Sequence, residues 1–179
     1  IANVFGVVTI TVTESTFSLD DYDGILISGA DKDGTKYAWY LDGEKDNTHT
    51  VSGLEIKNAG GYVVHTLPAG TTGYIVDLDT DASKADIAAS IRAATSGAGF
   101  GIGGSGDDAV FTGAAHGTIS NFTISKVSGS TADTSLVSSA LTAAGSTVQA
   151  HVAYSQDLVF DESRLPPAGS TIKIHDGEG

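Results

Sequence analysis

Residues 74–94 read YIVDLDTDASKADIAASIRAA, and they decide the fold class because a strand and a helix follow one another there. Tyr74-Ile75-Val76-Asp77-Leu78 is apolar on both faces, the pattern of a strand covered from two sides. Thr80, Asp81 and Ser83 then offer N-caps, and Ala85, Ile87, Ala88, Ile91 and Ala94 recur at spacings of three and four. That spacing predicts a helix over about 81–95, with an Ala-rich face suited to close packing on a sheet. Toward the N-terminus, Lys36 to Leu41 alternates as a strand that ends at Asp42-Gly43, with Tyr37 and Trp39 on one face. Val4 to Thr13, VFGVVTITVT, also alternates and is rich in β-branched residues. Toward the C-terminus, Ala109 to Thr112 and Thr118 to Val127 repeat the strand pattern. One main helix among many strands predicts an α+β fold, mostly β. It takes the form of an antiparallel or mixed sheet with one main helix and extended terminal arms. Trp39, Ile75, Ile87, Ile91, Phe111 and Phe122 are the expected core.

The remaining segments fill in the organisation. Ile25 to Ser28 reads as a short strand, followed by the turn signal Asp31-Lys32-Asp33-Gly34. Thr48 to Ile56 and Tyr62 to Thr66 read as strands, with Leu67-Pro68-Ala69-Gly70 as a turn. Gly97 to Gly106 reads as a flexible surface loop, and Gly113 to Gly117 as a turn joining the strands on either side into an antiparallel pair. Thr134 to Ala144 reads as a short helix, and Val148 to Phe160 and Thr171 to Ile174 as strands separated by Pro166-Pro167. The expected division is an N-terminal strand or arm at 1–35, an α+β core module at 36–127 and a C-terminal β segment or arm at 128–179. Val4 to Thr13 carries neither proline nor charge, and either it or the segment from Val148 to Ile174 is expected to bury its edge against a neighbouring chain.

Composition narrows the function classes. Among 179 residues there are 22 Asp plus Glu against 9 Lys plus Arg, a net charge of -13 that sets the chain against nucleic acid and anionic lipid as partners. Hydrophobic residues at 40% and charged residues at 17% make it too apolar for a disordered acidic tail. The absence of Cys removes disulfide frameworks, thiolate zinc sites, iron–sulfur sites and Cys nucleophiles together. No run approaches the ~18 consecutive apolar residues of a membrane helix, so no membrane partner is expected. The chain holds no Met and begins with Ile1, which leads to the expectation of processing or of a start further upstream.

No motif assembles a site. Gly101-Ile102-Gly103-Gly104-Ser105-Gly106 matches G-x-G-x-x-G, but a helix precedes it and a strand follows, and Asp107-Asp108 would repel a phosphate. Asp77-Leu78-Asp79-Thr80-Asp81 opens like a calcium loop, yet Ala82 and Ala88 stand where that loop needs Gly and Glu. These aspartates, and Asp20, Asp21, Asp23, Asp31 and Asp33, read mainly as solvated turn carboxylates, with a non-standard Ca²⁺ site as the alternative. The five His, at 49, 65, 116, 151 and 175, show no i, i+2 or i, i+4 pairing, and there is no nucleophile elbow. Trp39 beside Tyr37 and Tyr40 could stack a sugar, but a lone Trp on a strand is more often core. Asn121-Phe122-Thr123 fits an N-glycosylation sequon, a pattern too short to decide anything. No catalytic, cofactor-binding or metal-binding residue is therefore assigned.

The order of elements is nonetheless familiar. Tyr37-Ala38-Trp39-Tyr40-Leu41-Asp42-Gly43, then Gly73-Tyr74-Ile75-Val76-Asp77-Leu78, the helix from Asp81 to Ala94, Phe100, and Ala109-Val110-Phe111-Thr112 with a following strand resemble a module of structural proteins of tailed bacteriophages. The resemblance covers residues 36 to 126 and carries no active-site residues. It implies a non-enzymatic virion protein, as head decoration, fibre or tail component, that self-assembles and partners other virion proteins. The alternative is a secreted filament or adhesin subunit at the cell surface, with strand exchange between copies.

Overall fold

In a computed structural model, residues 4–14, 17–44, 48–81, 83–94 and 99–146 are described. The chain runs through β1 (Phe5–Val12), β2 (Ile25–Ala30), β3 (Lys36–Asp42), β4 (Thr50–Ser52), β5 (Glu55–Lys57), β6 (Val63–Thr66) and β7 (Thr71–Asp77). It continues with α1 (Lys84–Ala93), β8 (Phe100–Gly103), β9 (Asp108–His116), β10 (Thr123–Lys126) and β11 (Val137–Ala143). The expected α+β fold, mostly β with one main helix, is what the chain adopts.

Three sheets form: β11-β1-β9-β8, β10-β2-β3-β7 and the small β4-β5-β6. All pairings are antiparallel except β3 with β7, where Trp39 lies opposite Tyr74 in parallel register. The crossover between those two strands carries the small sheet. In β1 the alternation read from the sequence becomes a burial pattern, with Val8, Ile10 and Val12 turned to the core and Val7, Thr9 and Thr11 turned out. Val8, Ile10 and Phe111 from the first sheet meet Ile27, Trp39 and Val76 from the second. At the centre Trp39 stacks on Phe122 and Tyr74 and meets the Phe111 ring edge-on at 4.9 Å. Gly29 makes room for this, because a Cβ there would run into the Phe122 ring. α1 starts at Ser83, whose Oγ accepts from the Asp86 N–H, and it packs Ile87, Ala88 and Ile91 onto the sheet. Each such isoleucine contributes about 1.5–3 kcal/mol of burial.

Five expectations change. Gly97 to Gly106 is not simply a surface loop: Phe100–Gly103 forms β8 against β9, and Phe100 is buried among the core aromatics. β9 runs on to His116 through the expected turn. It does not pair with β10, because β1 and β8 already occupy both its edges, and β10 joins β2 instead. Thr134 to Ala144 is a single 3-10 turn, Thr134–Leu136, followed by β11, since the free edge of β1 recruits this segment as a strand. Ile75 is half-buried, because the alternation of β7 sends Val76 into the main core and Ile75 to a second, smaller cluster. Finally, the expected N-terminal arm at 1–35 is not set apart where it is described: its strand β1 is built into a sheet. β1 lies between β11 and β9, and residues Ile1–Val148 belong to one compact unit that includes the expected core module. The second unit, Gln149–Gly179, lies outside the described residues, and with it the strands expected at 148–160 and 171–174. Among the described residues, no helix is long and apolar enough to cross a membrane.

Candidate functional site

β3 is buried on both faces, and its alternation separates two chemistries. Tyr37, Trp39 and Leu41 enter the aromatic core, whereas Ala38 and Tyr40 turn to a smaller cluster with Leu26, Ile56, Leu67 and Val127. The next residue on that second face is Asp42, a carboxylate only 1% exposed. A charge so placed needs partners.

Its partner is His49, which precedes β4 and is also buried. The His49 backbone N–H donates to Asp42 Oδ2 at 2.8 Å. His49 Nδ1 lies 2.9 Å from Asp42 Oδ1, yet neither atom makes an aligned hydrogen bond within the protein. The short distance without an aligned hydrogen bond describes a buried close pair whose hydrogen-bonding capacity is not used within the protein. Asp23, which follows the 3-10 turn Leu19–Tyr22, brings a second carboxylate. Tyr40 Oη stands 3.4 Å from Asp23 Oδ1 and 3.4 Å from His49 Nε2, with the tyrosine and imidazole rings 4.9 Å apart. One donor atom each from Asp23, Asp42 and His49 falls within 4.8 Å of the others. Gly43 permits this approach, because a Cβ there would collide with the Leu19 carbonyl.

Burial pushes the Asp23 carboxyl above its usual range, with Glu44 and Asp42 adding to the rise and His49 opposing it. Burial pushes the Tyr40 phenol far up as well, reinforced by Asp23 and Asp42, so Tyr40 keeps its proton. A cleft of about 370 Å³ opens beside the cluster, lined by Asp23, Tyr40, Glu44, His49, Asn58 and Val127 among others.

The residues weighed from the sequence are otherwise dispersed. Asp77 Oδ1 accepts from the Asp79 N–H and Asp81 Oδ1 from the Ser90 hydroxyl, which are turn and helix contacts, and the three aspartates do not converge. Asp21 accepts from the Ser18 N–H, and Asp31 closes the turn between β2 and β3. Of the eight aspartates weighed, only Asp23 joins the cluster. Trp39 is completely buried and presents no face to a sugar. Gly101–Gly106 spans the end of β8 and a turn toward β9, with no helix after it. His116 packs on the Phe5 ring at 4.1 Å, His65 lies in β6, and His151 and His175 lie outside the described residues. The Asn121 amide donates to the Ser139 carbonyl and accepts from the Ser139 hydroxyl, so it is engaged in fastening β11.

Asp42 and His49 were not singled out as a pair by the sequence. The one available signal was a carboxylate continuing the apolar alternation of a strand. No protein-family model, no curated protein and no solved structure matches this chain.

Proposed function

We propose that the protein is a non-enzymatic structural subunit that self-assembles, as a virion component of a tailed bacteriophage at the head or the tail. The observation that supports this is the edge of β11. Among the described residues β11 holds the outermost position of its sheet, and Val137–Ala143 contains neither proline nor charge. Natural edges are normally blunted by such residues, and an unguarded edge is a template for pairing with another chain. Asn121 covers it at Ser139, and the Ile119 N–H reaches the Ala144 carbonyl just past its end. The edge pairing expected of Val4 to Thr13 with a neighbouring chain is not available, because β11 and β9 fill both sides of β1 within the chain, and the open edge is that of β11. The packing of β3 beside β7, with α1 on β7 and β9, keeps together most of the elements on which the phage resemblance rests. β10 departs from it.

The edge alone would serve a secreted filament equally well, and the order of those elements favours the virion. Ala140→Lys tests assembly, because residue 140 is exposed and a lysine there guards the strand. Light scattering on the full chain should show multimers for the wild type and a smaller mass for the variant, with fold stability within about 0.5 kcal/mol. A monomeric wild type, or an unchanged mass in the variant, would overturn the reading.

A further inference from the structure

The cluster beside the cleft asks for something the protein does not supply. Asp42 Oδ1 and His49 Nδ1 face each other as a close pair with no aligned hydrogen bond to either, and both side chains are only 2% exposed. Buried polar atoms in native proteins are almost always satisfied, by protein, water or an ion. Here the two atoms are 2.9 Å apart, and Asp23 brings a donor within 4.8 Å of one from each of these residues. We infer that Asp23, Asp42 and His49 bind one divalent transition-metal ion of the zinc class.

The donor set selects the ion. Calcium takes six to eight oxygen ligands, and magnesium keeps most of its waters, whereas this site offers one imidazole nitrogen and two carboxylates. Zinc accepts that mixture in a four-coordinate site, with nitrogen and oxygen ligands at about 2.0–2.2 Å. Ligands of a tetrahedral zinc stand about 3.3–3.5 Å apart, so Asp42 Oδ1 and His49 Nδ1, at 2.9 Å, need to open slightly, while Asp23, whose donor lies within 4.8 Å of the others, needs to close. Asp23, half-buried at the cleft wall, is the residue placed to move. The cleft supplies water for the fourth position. Outer contacts are already in place: the His49 N–H fixes Asp42 Oδ2, and Tyr40 Oη reaches both Asp23 and the far nitrogen of His49. Two carboxylates and the nearby Glu44 favour a cation there.

The ion would join the entry to β2 with the end of β3 and the lead-in to the small sheet. This goes beyond the assembly reading and does not depend on it. The test uses the full chain, stripped with chelator and titrated with zinc alone. Calorimetry should give one ion per chain from the site, with a rise in thermal midpoint and a zinc-induced shift of the His49 imidazole resonances larger than that of His65. Asp23→Asn, which keeps the Asp42–His49 pair, should lower affinity at least about tenfold and reduce the thermal rise. The imidazole readout on the wild type stands even if the variant fails to fold. No zinc-induced stabilisation, undisturbed His49 resonances, undiminished affinity in a folded Asp23→Asn, or calcium stabilising as well as zinc would each overturn the inference.

Discussion

The two faces of β3 bury neighbouring residues of one strand in opposite ways. On one face Tyr37, Trp39 and Leu41 enter a core built from both large sheets and α1, where the aromatic rings contact one another and shape decides the fit. On the other, Ala38 and Tyr40 join a smaller cluster with Leu26, Ile56, Leu67 and Val127, and the face ends in the Asp42–His49 pair. The first face stabilises by area removed from water and by close packing. The second has less to bury and depends on whether a few polar atoms are satisfied. Stability should therefore concentrate on the first face and chemical responsiveness on the second.

The largest test of that contrast is Trp39→Ala. Trp39 is fully buried and contacts Tyr37, Tyr74, Phe111 and Phe122, so its removal leaves a cavity that none of these rings can fill without leaving its own place. A loss of about 3–5 kcal/mol is expected, read as a lower midpoint in urea at unchanged slope. A loss under 1 kcal/mol would mean the aromatic core is not the main support.

Asp42→Ala tests the other face and should cost less, about 1–3 kcal/mol in the presence of chelator. The penalty has a different origin: the buried His49 N–H loses its acceptor, and burying an unsatisfied donor costs its desolvation. The same denaturation measurement decides. A variant more stable than the wild type would show that the uncompensated carboxylate, not the hydrogen bond, dominates this face.

The contrast between the faces also explains what could be read in advance. Regular alternation and helical spacing depend on local sequence, so β1, β3, β7 and α1 were visible in their own residues. Pairing choices are not local. The Gly-rich stretch before Thr118 looked like a hairpin turn, but whether β10 could pair with β9 depended on β1 and β8 having already filled its edges. Thr134 to Ala144 has helix-compatible spacing, and the vacant side of β1 outweighed it. The candidate site was hidden for the same reason: Asp23, Asp42 and His49 belong to three segments, and no motif spacing relates them. Asp23 was weighed only with its sequence neighbours Asp20 and Asp21, which do not reach the cluster.

The smallest expected effect lies at the rim of the aromatic face and sharpens the contrast, because polar fastening is present there too. Asp31 closes the turn between β2 and β3: its Oδ1 accepts from the Asp33 and Thr35 N–H groups at 2.9 Å each, and its Oδ2 accepts from the Tyr37 hydroxyl at 3.2 Å. The Tyr37 oxygen in turn accepts from the Gly99 N–H at 3.0 Å, which ties the turn to the start of β8. Burial alone would raise the Asp31 carboxyl, but the hydrogen bonds from Thr35, Asp33 and Tyr37 outweigh it and hold the group below its ordinary value of 3.8. A depressed carboxyl contributes stability that is complete above the unfolded value and is lost as pH falls through the folded one. Asp31→Asn, which keeps one acceptor but not the charge, should cost about 0.5–1 kcal/mol at pH 7. That difference from the wild type should shrink as pH falls below about 4. Thermal midpoints of the two proteins measured between pH 7 and pH 3 should converge at the acid end. Parallel curves across that range would show that the ionised state of Asp31 contributes nothing to the turn, and that the aromatic face needs no charge even at its rim.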